Sequence, residues 1–102
     1  NNNILVKRVI AEAGDWVDMD DKGNVYVNNK RLEEPYLKEK AYGHTDIAFP
    51  YQVPEDRIFV MGDNREASID SRNTSIGTVS EEQIVGKLVL KVWPLKEISW
   101  ID

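Results

Sequence analysis

Short runs of apolar and β-branched residues, broken by turn-forming clusters, set the rhythm of this chain. Ile4 to Ile10 is mostly apolar, interrupted by Lys7 and Arg8, and Gly14-Asp15 closes it, which predicts a strand and a loop. Trp16 to Met19, a polar stretch from Asp20 to Asn24, and Val25-Tyr26-Val27 predict a hairpin. Asn28-Asn29 predicts a second turn before Lys30-Arg31-Leu32. From Glu33 to Ala48 the periodicity is weak, and Pro35, Gly43 and Pro50 punctuate it, so a long irregular excursion is expected. Arg57 to Met61 predicts the next strand. Ser80 with Gln83 three residues on has the capping-box pattern of a short helix. Gly86 ends that helix, and Leu88 to Trp93 predicts a last strand before Pro94.

These elements imply a mainly β fold of antiparallel strands with one short helix and long loops, in a single domain over residues 1–102. The 102 residues carry a formal charge of −5, which argues against a nucleic-acid partner, because phosphate binding needs clustered excess Lys and Arg. There is no Cys and a single His, His44, so thiolate zinc and all-histidine metal sites are excluded within one chain. No apolar run approaches the roughly 18 residues of a membrane span. Asn1-Asn2-Asn3 has no signal-peptide pattern.

Two acidic loops fail as calcium sites. Counting from Asp18, Lys22 stands at position 5 and Asn29 at position 12; counting from Asp63, Arg65 stands at position 3 and Thr74 at position 12. No glycine arrangement matches a phosphate loop. No metal or cofactor is expected.

One stretch stands apart: Met61 to Arg72, "MGDNREASIDSR", in which Asp63, Glu66 and Asp70 face Arg65 and Arg72. By composition alone it reads as a charged surface turn, whose ion pairs would contribute about 0 to 1 kcal/mol each. Read as the scaffold of a site, it must bury its charges in pairs.

Gly62-Asp63-Asn64-Arg65, then Ser68, Asp70-Ser71-Arg72 and Gly77, resembles the C-terminal signature block of the type I signal peptidases, a family of membrane-anchored serine endopeptidases. Lys7-Arg8-Val9-Ile10 with Gly14-Asp15 resembles the lysine block of that family. There, Ala11, Glu12 and Ala13 replace the more usual Gly, Leu and Pro, in what reads as a turn beyond the lysine. "EEPY" from Glu33 to Tyr36, Val53-Pro54, Gly86-Lys87 and Trp93-Pro94 fit the same pattern.

The resemblance implies a catalytic domain in which Lys7 is the general base and Ser68 orients its amine. Arg8 with Asp63, and Asp70 with Arg72, are implied as supporting ion pairs, alongside Asn64 and Arg65. A lysine base must be neutral, and burial on the apolar strand between Val6 and Val9 would favour that form. The family's nucleophile lies in a Ser-Met-x-Pro segment upstream of the lysine block, and no such segment occurs here. The expectation is therefore a partial catalytic core, inactive alone, lacking its N-terminal part and a membrane anchor, from a parent whose catalytic domain lies on the extracytoplasmic side.

Implied partners are the signal peptides of secreted preproteins, bound by strand addition, and the membrane surface, with Trp93 and Trp100 as interface candidates. An edge left open by a missing strand predicts self-association. Self-cleaving repressors share the serine–lysine chemistry but lack the Asp-Asn-Arg block. A non-catalytic homologue that binds peptide or membrane is the alternative. His44 and the 37–52 loop receive no role.

Overall fold

A computed structural model describes residues 5–80 and 88–91. Among the described residues, eight strands form two four-stranded sheets. β1 (Leu5–Glu12), β6 (Arg57–Met61), β7 (Val79–Ser80) and β8 (Leu88–Lys91) make one, in the order β7-β6-β1-β8. β2 (Trp16–Met19), β3 (Val25–Val27), β4 (Lys30–Arg31) and β5 (Tyr51–Gln52) make the other, in the order β4-β3-β2-β5.

The pattern of burial explains which runs became which strands. Ile58, Phe59 and Val60 are fully buried in succession, because β6 is an interior strand covered on both faces. β2 instead alternates exposed and buried, so only Val17 and Met19 reach the core. The two sheets share one apolar cluster: Ile10, Ala11, Phe59 and Met61 from the first meet Val17, Met19, Val25 and Val27 from the second, with Val53 alongside. Tyr51 adds a tilted ring contact to Phe59, 5.8 Å between centroids.

The hairpin and its turns form where the sequence places them. Asp20 accepts from the backbone of Lys22 and Asn24, so the acidic loop is an Asx-type turn. Asn28 and Asn29 adopt φ of 53° and 68°, the left-handed conformation that Asn tolerates in a two-residue hairpin.

Several expectations are corrected. β1 runs on to Glu12, with a register irregularity between Val9 and Ala11, so the presumed turn at Ala11 and Glu12 is strand. The small side chain of Ala11 is fully buried in the core. β1 and β8 pair in parallel, Leu5 with Leu88 through Arg8 with Lys91, so the strands are not all antiparallel. β8 pairs along the edge of β1 opposite β6, so β1 is an interior strand. The 37–52 loop ends in a short strand, β5, paired with β2. Ser80 pairs with Arg57 in β7. Residues 81–85, where that helix was expected, lie outside the described residues, as do Gly86, Trp93 and Trp100; among the described residues there is no helix.

Candidate active site

Neighbouring residues on a strand point to opposite faces, so Lys7 and Arg8 leave β1 in opposite directions. The loop after β6 reaches both of them. In the antiparallel register Arg8 faces Met61, which brings the following residue, Gly62, beside Lys7. Lys7 Nζ donates to Ser68 Oγ and to the Ile69 carbonyl, both at 2.8 Å. On the other face the Arg8 guanidinium takes the Asp63 carboxylate in a fork, Nε to Oδ1 at 2.9 Å and Nη2 to Oδ2 at 2.8 Å.

Gly62 makes the first of these contacts possible. A Cβ there would collide with Ser68 Oγ and stand 2.6 Å from Ser68 Cβ and 3.5 Å from Lys7 Nζ. Its amide donates to Asp70 Oδ2 at 2.8 Å, which ties the start of the loop to its end.

The loop is not a surface turn. Arg65, Asp70 and Arg72 are at most 1 % exposed. All five N–H groups of Arg72 have acceptors: Asp70 takes Nε at 2.8 Å and Nη2 at 3.0 Å, the Tyr42 and Arg65 carbonyls take Nη1 at 2.8 and 2.9 Å, and the Ser68 carbonyl takes the last at 3.3 Å. A buried guanidinium tolerates desolvation only when it is saturated in this way. Gly43 is glycine for the same reason, since a Cβ at its φ of 64° would run into the Arg65 carbonyl and Arg72 Nη1.

Arg65 does not pair within the stretch, as its charge pattern suggested. Its partner is Glu34, from the irregular excursion, with Nη1 to Oε1 at 3.1 Å and Nη2 to Oε2 at 2.7 Å, both side chains fully buried. Glu66 stays exposed. Asn64 is also exposed, and its carbonyl accepts the Ser68 amide at 2.8 Å, setting the turn that presents Ser68.

Three residues of this site had no role in the sequence reading: Glu34, Tyr36 and Ser71. Tyr36 donates to Glu34 Oε2 at 2.7 Å, and its ring lies 3.5 Å from Arg8 Cζ. Ser71 Oγ accepts the Val60 amide at 2.9 Å and donates to the Gly77 carbonyl at 2.8 Å, fastening the loop to β6. The available signal was arithmetical: with Asp63 assigned to Arg8 and Asp70 to Arg72, a buried Arg65 needs an acid from elsewhere, and "EEPY" carries two. His44 is exposed.

Burial pulls the Lys7 amine below the usual lysine value; the Asp70 carboxylate pushes it partly back up, and the Arg72 guanidinium pushes it down again. The amine is half-buried and fixed by two partners. Among the described residues no group of three His, Cys, Asp or Glu is placed to hold a metal ion, and no helix is long and apolar enough to cross a membrane.

A family model described as "Signal peptidase, peptidase S26" matches residues 1–93. The chain belongs to the signal peptidase family. It is 41% identical to a signal peptidase I of Bacillus amyloliquefaciens, an alignment covering 95% of this chain and 55% of that protein. It is 37% identical to the thylakoidal processing peptidase 1, chloroplastic, of Arabidopsis thaliana, over 97% of this chain and 27% of the relative. The crystal structure of a signal peptidase I from Enterococcus faecalis superposes with a TM-score of 0.62 at 32% identity, covering 81% of this chain and 80% of that one. The chain thus spans about half the length, or less, of these curated relatives. The signal-peptidase fold, mainly antiparallel β, is shared with the solved relative.

Proposed function

We propose that the complete protein is a serine endopeptidase that removes signal peptides from exported preproteins, with Lys7 as its general base and a nucleophilic serine supplied from outside these 102 residues. The observation that carries this is the state of Lys7: a desolvated amine whose two neighbours at 2.8 Å are a hydroxyl and a carbonyl oxygen. A neutral amine has two N–H bonds and one lone pair. With the N–H bonds engaged by Ser68 Oγ and the Ile69 carbonyl, the lone pair is left in a fixed direction to receive a proton.

In the reaction, the nucleophile's hydroxyl oxygen bonds to the scissile carbonyl carbon as its proton moves to Lys7 Nζ. The tetrahedral adduct then expels the amine of the mature protein, which takes that proton, and leaves an acyl-enzyme. Water hydrolyses the ester with Lys7 again receiving and returning a proton, so the enzyme ends as it began. Ser68 is a positioning residue here. Its oxygen is walled on one side by Gly62, which favours holding the amine over attacking a peptide. The parent's membrane attachment, extracytoplasmic catalytic domain and any association between copies belong to the same reading.

The test is preprotein cleavage by the complete protein. Lys7→Ala should lower kcat by at least about a thousandfold, and Ser68→Ala by about ten- to a hundredfold, with far-ultraviolet circular dichroism unchanged. Cleavage by Lys7→Ala at the unsubstituted rate, or by the 102-residue chain alone, would refute the assignment.

A further inference from the structure

Glu34 and Tyr36 take no part in the reaction above, yet together they touch the strand that carries Lys7 and the loop that carries Ser68. The Tyr36 ring lies 3.5 Å from Cζ of Arg8, the strand neighbour of Lys7, and its hydroxyl donates to Glu34 Oε2 at 2.7 Å. The same carboxylate receives both terminal nitrogens of Arg65. Arg65 Nε donates to the Gly62 carbonyl at 2.9 Å. Gly62 is the residue whose missing side chain leaves room for Ser68 against Lys7.

We infer that Glu34 and Tyr36 are positioning residues for the Lys7 base: a phenol–carboxylate brace that ties Arg8 to Gly62 and thereby holds Ser68 at its distance from Lys7. This rests on Lys7 being the base, as proposed above. Each link is stiff. The Arg65–Glu34 fork is bidentate and fully buried, so neither group can exchange its partner for water at low cost. The ring against Arg8 restrains a guanidinium that Asp63 already holds by two bonds.

The consequence of loosening the brace is specific. A cavity of about 410 Å³, lined by Tyr36, Lys38, Asp63, Asn64 and Glu66 among others, leaves the brace room to move on the Arg8 side, and Lys7 is only half-buried, so a displaced Ser68 opens its amine to solvent. Water reaching the amine favours the ammonium form. The pH at which catalysis switches on then moves upward, whereas a merely structural defect would scale the rate equally at every pH.

The experiment measures kcat and KM against pH for the complete protein on a peptide substrate, in Tyr36→Phe, Tyr36→Leu and Glu34→Gln, with Lys7→Ala and Ser68→Ala in parallel. Tyr36→Phe keeps the ring over Arg8 and removes one hydroxyl; it should raise the acidic limb by about half a pH unit, lowering kcat roughly threefold below that limb. Tyr36→Leu and Glu34→Gln should raise it by about one unit, roughly tenfold in kcat there, with KM within about twofold and kcat recovering at alkaline pH. An unmoved limb in Tyr36→Phe and Tyr36→Leu overturns the brace even where kcat falls uniformly. If Glu34→Gln does not accumulate folded, the two Tyr36 variants decide. Inactive Lys7→Ala with unmoved limbs in the Tyr36 variants overturns the brace alone; active Lys7→Ala overturns the base assignment and the brace with it.

Discussion

Gly62→Ala asks the most of the smallest change. The substitution adds one methyl group at a position whose φ is not in the left-handed range, so the backbone itself accepts alanine. The added carbon would meet Ser68 Oγ and lie 2.6 Å from Ser68 Cβ, about 0.8 Å short of an ordinary contact at 3.4 Å. Rotating the hydroxyl away relieves only the first clash, since Cβ moves with the backbone. That backbone is pinned by the Ser68 amide on the Asn64 carbonyl at 2.8 Å and by Arg72 on the Ser68 carbonyl. Overpacking of this kind costs about 1 to 3 kcal/mol in stability. The lost hydrogen bond to Lys7 adds about 0.5 to 1.5 kcal/mol. A displacement near 1 Å of a positioning group is expected to lower the rate by about a hundredfold. The assay pairs urea denaturation with preprotein cleavage by the complete protein. Cleavage within about twofold of the unsubstituted rate, with denaturation showing a folded protein, would refute the view that Ser68 fixes the base.

Three further outcomes follow from the same contacts. Lys7 has a lowered pKa when folded, so between that value and the unfolded value near 10.4 the unfolded chain binds more protons; stability from this group should rise with pH through that window and be lost as pH falls through the folded value. Denaturation series should therefore show Lys7→Met gaining on the unsubstituted protein toward lower pH, and a pH-independent difference would contradict it. Asp70→Asn leaves the buried Arg72 charge without its partner and should cost about 3 to 5 kcal/mol in urea denaturation; a loss below about 1 kcal/mol would mean that the pair is far more solvated than its geometry indicates. Asn29→Val places a β-branched residue at φ 68° and should lower stability by about 1 to 2 kcal/mol in a thermal melt, while Asn29→Gly should change it little.

Where a pattern was local, the sequence showed it. The β2–β3 hairpin follows from alternation and a polar turn, and β6 from an unbroken apolar run, because both signals act within a few residues. The extension of β1 through Ala11 and Glu12 was hidden, since alanine and glutamate are weak strand formers and only a core on the far side gives Ala11 its place. The parallel pairing of β1 with β8 joins residues some eighty positions apart, and no local period records that. Within the site, Asp63 and Asp70 were legible as acids near arginines. Glu34 was not, because the partner of Arg65 is 31 positions away in a segment with no periodicity. Long-range ion pairs leave a trace only in the count of unmatched charges.

The pairing of charges also explains how a lysine amine with a lowered pKa can sit beside two arginines and two aspartates. A lone Asp70 would favour the ammonium form of Lys7, and a lone Arg72 would favour the neutral one. Locked together at 2.8 and 3.0 Å, they largely cancel at the distance of Lys7, as Arg8 and Asp63 do on the other face. Desolvation is then the largest influence left on the amine. The rigidity of the loop therefore has an electrostatic purpose as well as a geometric one: a hinge that separated Asp70 from Arg72 would expose Lys7 to one unbalanced charge. Asp70→Asn should accordingly move the acidic limb of the cleavage profile downward, because it removes the influence that raises the Lys7 pKa and keeps the one that lowers it. An upward shift in a folded Asp70→Asn protein would show that solvent entry, and not the paired charges, governs the amine.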